Sequence, residues 1–452
     1  MSVPGIAPGL IVAAPASGSG KTTLTLALLR HFRNAGLRVA SAKVGPDYID
    51  PAFHRIAGGG ACNNLDSWAM RPETLMSLIA EAGRDADLLI VEGVMGLFDG
   101  AADGSSSTAE LAALTGWPVL LAVDARGLST SAAALLYGFT HYRPKQRPEA
   151  VVFNRVGGKR HRQMLEAACK PLGLPILGYV PRDESLALPA RHLGLVQAIE
   201  HPALESFLET AAGLVARHVD CDALQALARR TTVDADPGET TLPPLGQRIA
   251  VASDEAFAFA YPFVLDGWRH AGASLETFSP LADEAPSADC DAVYLPGGYP
   301  ELHAGRLAGN NGFLGGLRAA AERGAAVYGE CGGYMALGER LVDEDGKAYP
   351  MAGLLPIATS FAEPRLTLGY RYAVLLEDGP LRRRHQVFCG HEFHYASVLG
   401  EEAGEGTLSL FAVSDARGEA LGPVGACRGN VCGSFLHLID RAAPGTYRAR
   451  RP

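Results

Sequence analysis

The sequence predicts an α/β protein of two domains, each built on a doubly wound parallel sheet. Short apolar runs alternate with stretches of helical spacing in both halves, which is typical of such sheets. At 452 residues the chain exceeds what one hydrophobic core usually organises. A polar, proline-containing stretch without periodicity separates the halves. We therefore predict a first domain at 1–230, a linker at 231–246 and a second domain at 247–452.

Composition and charge exclude several classes of protein. The formal net charge of −9 argues against a general partner of nucleic acid or of a membrane surface. No apolar run approaches the ~18 residues that span a membrane, and the N-terminus lacks the features of a signal peptide. Eight scattered cysteines do not form a disulfide framework. These observations predict a cytoplasmic protein with no nucleic-acid or membrane partner.

The first element is an apolar strand at 10–14, followed by a glycine-containing turn and a helix that begins near Lys21. This layout is typical of a phosphate-binding P-loop, in which backbone N–H groups converge on an anion. Lys21 would neutralise the β- and γ-phosphates, and the Thr22 hydroxyl would bind Mg²⁺. Pro15 stands where the usual motif has its first glycine, and a helix-entry turn without a ligand is the alternative. The predicted nucleotide-binding residues are Ser17, Gly18, Ser19, Gly20, Lys21, Thr22 and Thr23.

Acidic residues follow the next strands of this half. The strand at 37–43 leads to Asp47, which would hold Mg²⁺ or orient a substrate carboxyl group, or would simply be a turn residue. The strand at 86–92 ends at Glu92, a Walker-B-like position from which a carboxylate reaches the metal. Asp99 lies at the same rim. The polar loop with Asn63 and Asn64 would recognise substrate or cap the following helix.

The second half contains a Gly-x-Cys-x-Gly pattern between a strand at 325–328 and a helix, with Cys331 at its centre. This is the cysteine analogue of a nucleophile elbow, where glycines permit a sharp turn. The following helix N-terminus would favour the thiolate. The amides of Gly332 and Gly298 would form an oxyanion hole. A buried structural cysteine is the alternative.

A cysteine nucleophile requires a base, and His437 is the predicted one. Residues 430–437 have the pattern of a single strand that ends at this histidine. His391 and His394 are the competing candidates. Their spacing is not H-E-x-x-H and no third ligand matches, so we predict no zinc site there.

The second half resembles class I glutamine amidotransferase domains, with Cys331 as nucleophile and His437 as base. The usual His-x-Glu acid is absent, because Ile439 stands at that position. The first half resembles dethiobiotin synthetase, and the order of the halves resembles the family of cobyrinic or hydrogenobyrinic acid a,c-diamide synthases of cobalamin biosynthesis. The stretches that carry the resemblance are 15–23, 45–48, 91–100, 296–301, 330–333 and 390–395.

This resemblance implies a ligase that uses ATP, Mg²⁺ and L-glutamine to amidate a corrinoid carboxylate through an acyl phosphate. Thr22, Asp47 and Glu92 would bind Mg²⁺, and Asn154 would recognise the adenine. Ammonia released at Cys331 would travel shielded from water, within one chain or across a homodimer. Tyr48, Asp99, Asn63 and Asn64 would lie towards the macrocycle.

Two other enzymes of the same layout remain alternatives, cobyric acid synthase and nickel-sirohydrochlorin a,c-diamide synthase, because sequence periodicity does not resolve the substrate pocket. A P-loop switch ATPase of the partition type is a more remote alternative. The presence of both Cys331 and His437 and the lack of a basic nucleic-acid face argue against it.

Overall fold

The chain forms two compact units. The computed structural model describes residues 6–186, 190–191, 194–232, 242–381, 383–399, 406–443 and 445. The first unit comprises Met1–Trp68 and Leu75–Pro237, and the second comprises Ala69–Thr74 and Gly238–Pro452. The division falls inside the predicted linker, of which 233–241 lies outside the described residues. The sequence did not indicate that Ala69–Thr74 belongs to the second unit.

The first unit alternates strands and helices along the chain. Its strands are β1 Gly9–Ala13, β2 Val39–Val44, β3 Cys62–Leu65, β4 Leu88–Glu92, β5 Val119–Asp124, β6 Ala150–Val156, β7 Ile176–Pro181, β8 Ala190–Arg191 and β9 Gly194–Leu195. Its helices are α1 Lys21–Asn34, α2 Asp50–Gly58, α3 Pro72–Ala82 (which begins in the segment assigned to the second unit), α4 Thr108–Thr115, α5 Ser131–His141, α6 Lys159–Cys169, α7 Leu204–His218 and α8 Cys221–Leu227. Short 3₁₀ helices span Pro144–Gln146, Lys170–Leu172, Glu184–Leu186 and Ala198–Glu200.

The main sheet of this unit is parallel, in the order β3-β2-β4-β1-β5-β6-β7. Strands β1 and β4 are buried along their whole length, as expected where helices cover both faces. Strands β4, β2 and β3 lie on one side of β1 within the sheet, and strands β5, β6 and β7 lie on its other side. The carboxyl end of β1 therefore lies at a topological switch point, where open α/β sheets bind ligands.

Helix α4 begins at a capping box. The Ser107 side chain accepts a hydrogen bond from the Glu110 backbone N–H, and the Glu110 side chain accepts one from the Ser107 N–H. These bonds satisfy two backbone donors at the start of the helix. Ser107 is therefore the N-cap of α4.

The second unit contains fourteen strands and four α-helices among its described residues. The strands are β10 Arg248–Ala252, β11 Ser274–Phe278, β12 Ala292–Leu295, β13 Ala326–Glu330, β14 Arg340–Val342, β15 Ala348–Pro350, β16 Ala358–Ser360, β17 Thr367–Leu375, β18 Val387–His394, β19 Ser397–Val398, β20 Leu408–Asp415, β21 Ala420–Arg428, β22 Val431–Ser434 and β23 Leu436–Arg441. The helices are α9 Pro262–His270, α10 Ala304–Gly309, α11 Asn311–Glu322 and α12 Gly332–Leu337, with 3₁₀ helices at Pro280–Ala282 and Pro300–His303.

The large sheet of the second unit is mixed. Its order is β11-β10-β12-β13-β22-β21-β20-β17-β18-β23. The part from β11 to β22 is parallel, whereas every pairing from β22 onward is antiparallel. The α/β class is confirmed, but the sheet is not parallel throughout as predicted. The loops at 416–419 and 429–430 are too short for a crossover and permit only antiparallel hairpins.

The predicted strand at 430–437 is wrong as a single element. Strand β22 ends at Ser434 beside β13, and β23 begins at Leu436 and pairs with β18. The Ser434 hydroxyl accepts a hydrogen bond from the Leu436 N–H at this break. His437 is thus the second residue of the antiparallel edge strand, because the chain changes pairing partners immediately before it.

The cysteines and the helices bear on two of the predictions. All eight cysteines are buried and free, so no disulfide framework is present. Within the described ranges, no helix is both long enough and apolar enough to cross a membrane.

Candidate active sites

The turn between β1 and α1 places the predicted nucleotide-binding residues at the switch point of the first sheet. Gly20 stands at the N-cap of α1 with φ of 88°, and Gly18 has φ of 76°, values that favour glycine. The Ser19 hydroxyl donates to the Ala16 carbonyl at 2.8 Å and closes the turn. Lys21 is buried, and its Nζ donates to the Met95 carbonyl at 2.8 Å.

Asn154 lies against this turn. Its Nδ2 donates to the Ser19 carbonyl at 3.2 Å, and a Cβ on Gly20 would lie only 2.2 Å from that nitrogen. Arg155 also holds the turn, because one guanidinium nitrogen donates to the Gly18 carbonyl at 2.8 Å and pairs with Asp124 at 2.6 Å. Neither Arg155 nor Asp124 was predicted, although Asp124 ends β5 as Glu92 ends β4.

Thr22 contacts two carboxylates. Its Oγ1 donates to Glu92 Oε1 at 2.6 Å and lies 3.3 Å from Asp50 Oδ2. The predicted partner Asp47 has another contact, since its Oδ1 accepts the N–H groups of residues 49 and 50 at 2.8 and 3.0 Å. The structure therefore brings Thr22 together with Glu92 and with Asp50, an acid that was not predicted. Asp47 instead organises the start of α2.

Lys43 and His54 complete this buried cluster, and neither was predicted. Lys43 Nζ donates to Asp50 at 2.5 Å and to Glu92 at 2.9 Å, and it lies 4.0 Å from Asp47. Burial lowers the pKa of Lys43, but the three carboxylates outweigh burial and raise it overall. His54 Nε2 lies 2.7 Å from Glu92 Oε2. Burial alone would raise the pKa of Glu92, but Lys43 and His54 hold it below its usual range.

The oxygen atoms of this cluster suit a hard cation. Mg²⁺ binds carboxylate and hydroxyl oxygens, commonly through one or two carboxylates together with substrate phosphates. Thr22, Asp50 and Glu92 present such atoms beside the P-loop. Across the described ranges, no group of three or more His, Cys, Asp or Glu side chains forms a metal cage. The oxygen atoms of Thr22, Asp50 and Glu92 are of the kind that Mg²⁺ prefers.

The two predicted asparagines occupy different surroundings. Asn64 Nδ2 donates to the carbonyls of Gly45 and Asp47 at 2.8 and 2.6 Å, so it fixes the loop after β2. Asn63 is buried and lines a cavity of about 450 Å³ at the amino ends of β2 and β4. That end of a parallel sheet is opposite to the P-loop end.

Tyr48 and Asp99 both lie in loops that follow strands. Tyr48 is buried between β2 and α2. Asp99 Oδ2 accepts the Gly96 N–H at 2.9 Å. A Cβ on Gly96 would lie 2.6 Å from the Pro15 carbonyl, so the Asp99 loop passes directly beside the P-loop.

Cys331 occupies a sharp turn between β13 and α12 of the second unit. Its φ of 47° and ψ of −107° are strained for a residue with a side chain. A Cβ on Gly333 would lie 2.0 Å from the Leu295 carbonyl, so only glycine fits there. This is the geometry of a nucleophile elbow, in which the turn directs one side chain out of the strand.

His437 and Cys331 border the same small space. A Cβ on Gly297 would lie 2.4 Å from His437 Cε1, 3.0 Å from its Nε2 and 3.2 Å from Cys331 Cβ. The backbone nitrogen of Gly298 would lie 3.0 Å from a Cβ on Gly332, so the two amides predicted for an oxyanion hole are also adjacent. The glycine at 297 therefore leaves room beside the reacting atoms.

Burial leaves this pair uncharged. Burial, followed by the charge of Glu301, raises the pKa of the Cys331 thiol above its usual value. Burial lowers the pKa of His437 to about 3. The expected stabilisation of the thiolate by the next helix is outweighed, because α12 has only six residues and the thiol is fully enclosed. Both shifts favour a neutral thiol and a neutral imidazole, the form of histidine that accepts a proton.

Comparison with known proteins agrees with both halves. Residues 10–196 match the CobQ/CobB/MinD/ParA nucleotide binding domain, and residues 248–444 match the CobB/CobQ-like glutamine amidotransferase domain. Hydrogenobyrinate a,c-diamide synthase of Brucella abortus is 55% identical over 443 residues, covering 96% of this chain and 98% of that protein. The chain belongs to the hydrogenobyrinate a,c-diamide synthase family. Its relatives from Sinorhizobium sp. and Agrobacterium fabrum are 53% and 48% identical, each covering 96% of this chain and 99% and 98% of their own lengths.

This membership confirms the predicted resemblance, the nucleotide-binding first half and the glutamine amidotransferase second half. A diamide synthase of this family must bind glutamine, and the second unit contains a cavity of about 230 Å³. Tyr334, one turn after Cys331, lines it together with Arg365, Glu392 and His394. The charge of Glu392 is also a minor contribution to the raised pKa of Cys331.

The rival histidines have other partners. His394 Nε2 lies 3.1 Å from Glu392 Oε1, and its ring stacks on Phe435 with centroids 3.9 Å apart. His391 pairs across the strands with His437 and packs edge-on against Tyr370. His437, not His391 or His394, is thus the histidine next to the Gly297 space that Cys331 also borders.

Proposed function

We propose that this chain amidates the a and c acetate carboxylates of hydrogenobyrinic or cobyrinic acid, with ATP as the activating substrate and L-glutamine as the nitrogen donor. One observation carries the proposal. A single chain, similar to named diamide synthases over nearly its whole length, combines a P-loop beside buried carboxylates with a cysteine elbow beside a histidine.

The first unit would form the acyl phosphate. A carboxylate oxygen of the corrinoid attacks the γ-phosphorus, the bond to the β-phosphate oxygen breaks, and ADP leaves. Lys21 and Lys43 stabilise negative charge on the transferred group, as in other phosphoryl transfers. Thr22, Asp50 and Glu92 would hold Mg²⁺, which supplies charge neutralisation at the phosphates when bound.

The remaining predicted residues of the first unit keep their proposed roles. Asp47 would orient the substrate carboxyl group or approach the ion, because its loop also carries Asp50. Tyr48 and Asp99 would face the macrocycle from loops beside the P-loop. Asn154 would contact the adenine base. Asn64 would shape the substrate loop through the Asp47 carbonyl, and a substrate contact of Asn63 stays a prediction.

The second unit would release ammonia from glutamine. His437 takes the Cys331 proton, and the thiolate attacks the amide carbon. The amides of Gly298 and Gly332 stabilise the oxyanion, and His437 returns the proton to the leaving nitrogen. Ammonia leaves a thioester that water hydrolyses to glutamate. In the adjacent cavity, Arg365 would bind the glutamine α-carboxylate and Glu392 its α-ammonium group.

Ammonia must reach the acyl phosphate unprotonated, because ammonium has no lone pair for attack. Attack on the acyl carbon expels phosphate and forms the amide, and the cycle repeats at the second acetate. The route must therefore exclude bulk water. A homodimer is the alternative assembly that would enclose it, and sedimentation velocity of the purified chain tests this alternative.

The test is a mass-spectrometric assay with ATP, Mg²⁺, glutamine and separate tetrapyrroles. We expect hydrogenobyrinic or cobyrinic acid to gain two amides in place of two acids, in step with ADP formation. Amidation only of an a,c-diamide would instead favour cobyric acid synthase. Amidation only of nickel sirohydrochlorin would favour nickel-sirohydrochlorin a,c-diamide synthase. ATP hydrolysis with no amidated tetrapyrrole would contradict the proposal and favour a switch ATPase.

A further inference from the structure

Glu330, the residue immediately before the nucleophile, carries a buried carboxyl group with no role in the steps described above. The family pattern of an acid two residues after the histidine is absent, because Ile439 stands there. A thiol–imidazole pair nevertheless works best when a third group holds the base in one orientation.

The two ring nitrogens of His437 lie towards different partners. Nδ1 lies 3.9 Å from Glu330 Oε2. Nε2 borders the Gly297 space, where the same hypothetical Cβ would also touch Cys331. Acid, imidazole and thiol therefore follow one another in the order of a catalytic triad, although the acid comes from the strand that carries the nucleophile.

Three donors hold the Glu330 carboxyl group. The Tyr294 hydroxyl donates to Oε2 at 2.8 Å, and the Tyr328 hydroxyl donates to Oε1 at 3.0 Å. The backbone N–H of Leu438 donates to Oε1 at 3.1 Å, and Leu438 is the neighbour of His437 on β23. These bonds favour a carboxylate and tie it to the strand that presents the base.

We propose that Glu330 is the positioning acid of the glutaminase: its carboxylate accepts the Nδ1–H of His437 and directs the Nε2 lone pair to the Cys331 thiol. The inference rests on the glutaminase chemistry proposed above. Closing 3.9 Å to a hydrogen bond requires a shift of about 1 Å, and such contacts commonly tighten when substrate binds. The bond fixes the tautomer in which His437 can act as a base.

The surroundings of the pair are consistent with this role. Among the described residues, the titratable groups that face Glu330 are Tyr294, Tyr328, Cys331 and His437, and His391 and His394 face His437 from β18. Burial raises the pKa of Glu330 to about 7, although the Leu438 N–H and the two tyrosine hydroxyls oppose this rise. Loss of a tyrosine hydroxyl should therefore raise that pKa further.

Asp440 is the competing acid, because it lies three residues after His437. Its carboxylate, however, accepts hydrogen bonds from the Arg71 backbone N–H at 2.9 Å and from Arg71 Nε at 3.1 Å. Both oxygens are thus used in fixing the segment Ala69–Thr74 within the second unit. Asp440→Asn provides the matched control for Glu330→Gln, since each change removes one buried carboxylate near the base.

The experiment measures glutamine-dependent and ammonia-dependent amidation in the full-length Glu330→Gln, Asp440→Asn and Cys331→Ala variants. Glu330→Gln should lower kcat for glutaminase by about 10²- to 10⁴-fold, the range for a misoriented base, with ammonia-dependent amidation retained. Asp440→Asn should retain glutaminase within about threefold. Wild-type glutaminase in Glu330→Gln, or its loss in Asp440→Asn alone, would overturn the assignment.

A second measurement does not depend on the stability of Glu330→Gln. Tyr328→Phe removes one donor to the carboxylate, so the acid limb of the glutaminase pH–rate profile should move to higher pH. An unshifted acid limb would show that Glu330 has only a structural role in the core. If Cys331→Ala kept its glutaminase, the proposed function would fail. If Cys331→Ala lost glutaminase while both Glu330→Gln and Tyr328→Phe behaved as wild type, only this inference would fail.

Discussion

At the residue scale, the chemistry depends on charges and protons that burial controls. In the first unit, Lys43 sits between Asp50 and Glu92 and keeps the two carboxylates together in the interior. In the second unit, burial without such compensation leaves Cys331 and His437 neutral. The proposed phosphoryl transfer therefore uses groups that are charged, whereas the proposed glutaminase uses a neutral thiol and a neutral imidazole.

Cys331→Ala should abolish glutamine-dependent amidation and retain amidation with high free ammonia. The change removes the proposed nucleophile of the second unit and leaves intact the residues of the first unit that we propose activate the carboxylate. Product mass with each nitrogen source measures both activities on the same sample. Loss of ammonia-dependent amidation as well would contradict this division between the units.

Asp50→Asn should reduce amidation from either nitrogen source by more than about tenfold. The change leaves the buried Lys43 with one fewer carboxylate and removes an oxygen 3.3 Å from Thr22. The measurement is ADP release coupled to amidation. Lys21→Ala and Glu92→Ala should both abolish this coupled activity entirely. Asp47→Asn is the comparison, and equal retention of activity in both aspartate variants would refute the special role of Asp50.

At the scale of the element, glycines decide how closely loops approach the reacting groups. The loop after β12 carries Gly297 and Gly298, and neither position has space for a side chain. Strand β23 delivers His437 and the turn after β13 delivers Cys331, so three separate segments must meet at one point. The glycine loop allows this meeting without a collision.

Gly297→Ala should lower glutaminase by at least about tenfold, because the new methyl group would overlap the His437 ring and displace the base. Ammonia-dependent amidation should be retained, since the change lies only in the second unit. Gly309→Ala is the matched control, as a Cβ there meets nothing within 4 Å. Normal glutaminase in Gly297→Ala would mean that the ring can move aside without loss of function.

At the scale of the whole molecule, each unit buries titratable groups, and this links stability to pH. Burial lowers the pKa of both His391 and His437 to about 3, compared with 6.5 for an exposed histidine. Between these values the unfolded chain binds protons that the folded unit does not. The stability that these neutral histidines support is therefore complete above pH 6.5 and is lost as the pH falls towards 3.

His391→Gln should make the stability of the second unit less sensitive to acid. Removing one such histidine should reduce the loss of unfolding free energy by about 1.4 kcal/mol for each pH unit below about 6. Urea unfolding of wild type and variant at several pH values measures this difference, and contributions from groups such as Glu330 cancel in the comparison. Parallel pH curves for the two proteins would show that His391 becomes protonated without cost in the folded state.

The local features of this chain were predicted from the sequence because short segments determine them. The alternation of apolar runs and helical spacing predicted the α/β class, and the Gly20-Lys21-Thr22 pattern predicted a nucleotide-binding half. The Gly-x-Cys-x-Gly pattern predicted a cysteine nucleophile elbow, and the resemblance to class I glutamine amidotransferases implied the activity of that half. Such patterns can be recognised in the sequence because a phosphate-binding turn and a nucleophile elbow are each formed by consecutive residues. The individual roles assigned to the residues within them remain predictions.

Contacts between distant segments were decided only by the tertiary structure. Neighbouring residues predicted the P-loop that ends at Lys21, but they did not predict which side chains contact Thr22. Asp50, Lys43 and His54 join it from β2 and α2, and no spacing in the sequence indicates which of several acids turns inward. Likewise, Glu330 reaches His437 across 107 positions because β13 and β23 present them to one interior. Burial then sets the charge of each group, and burial is a property of the folded chain.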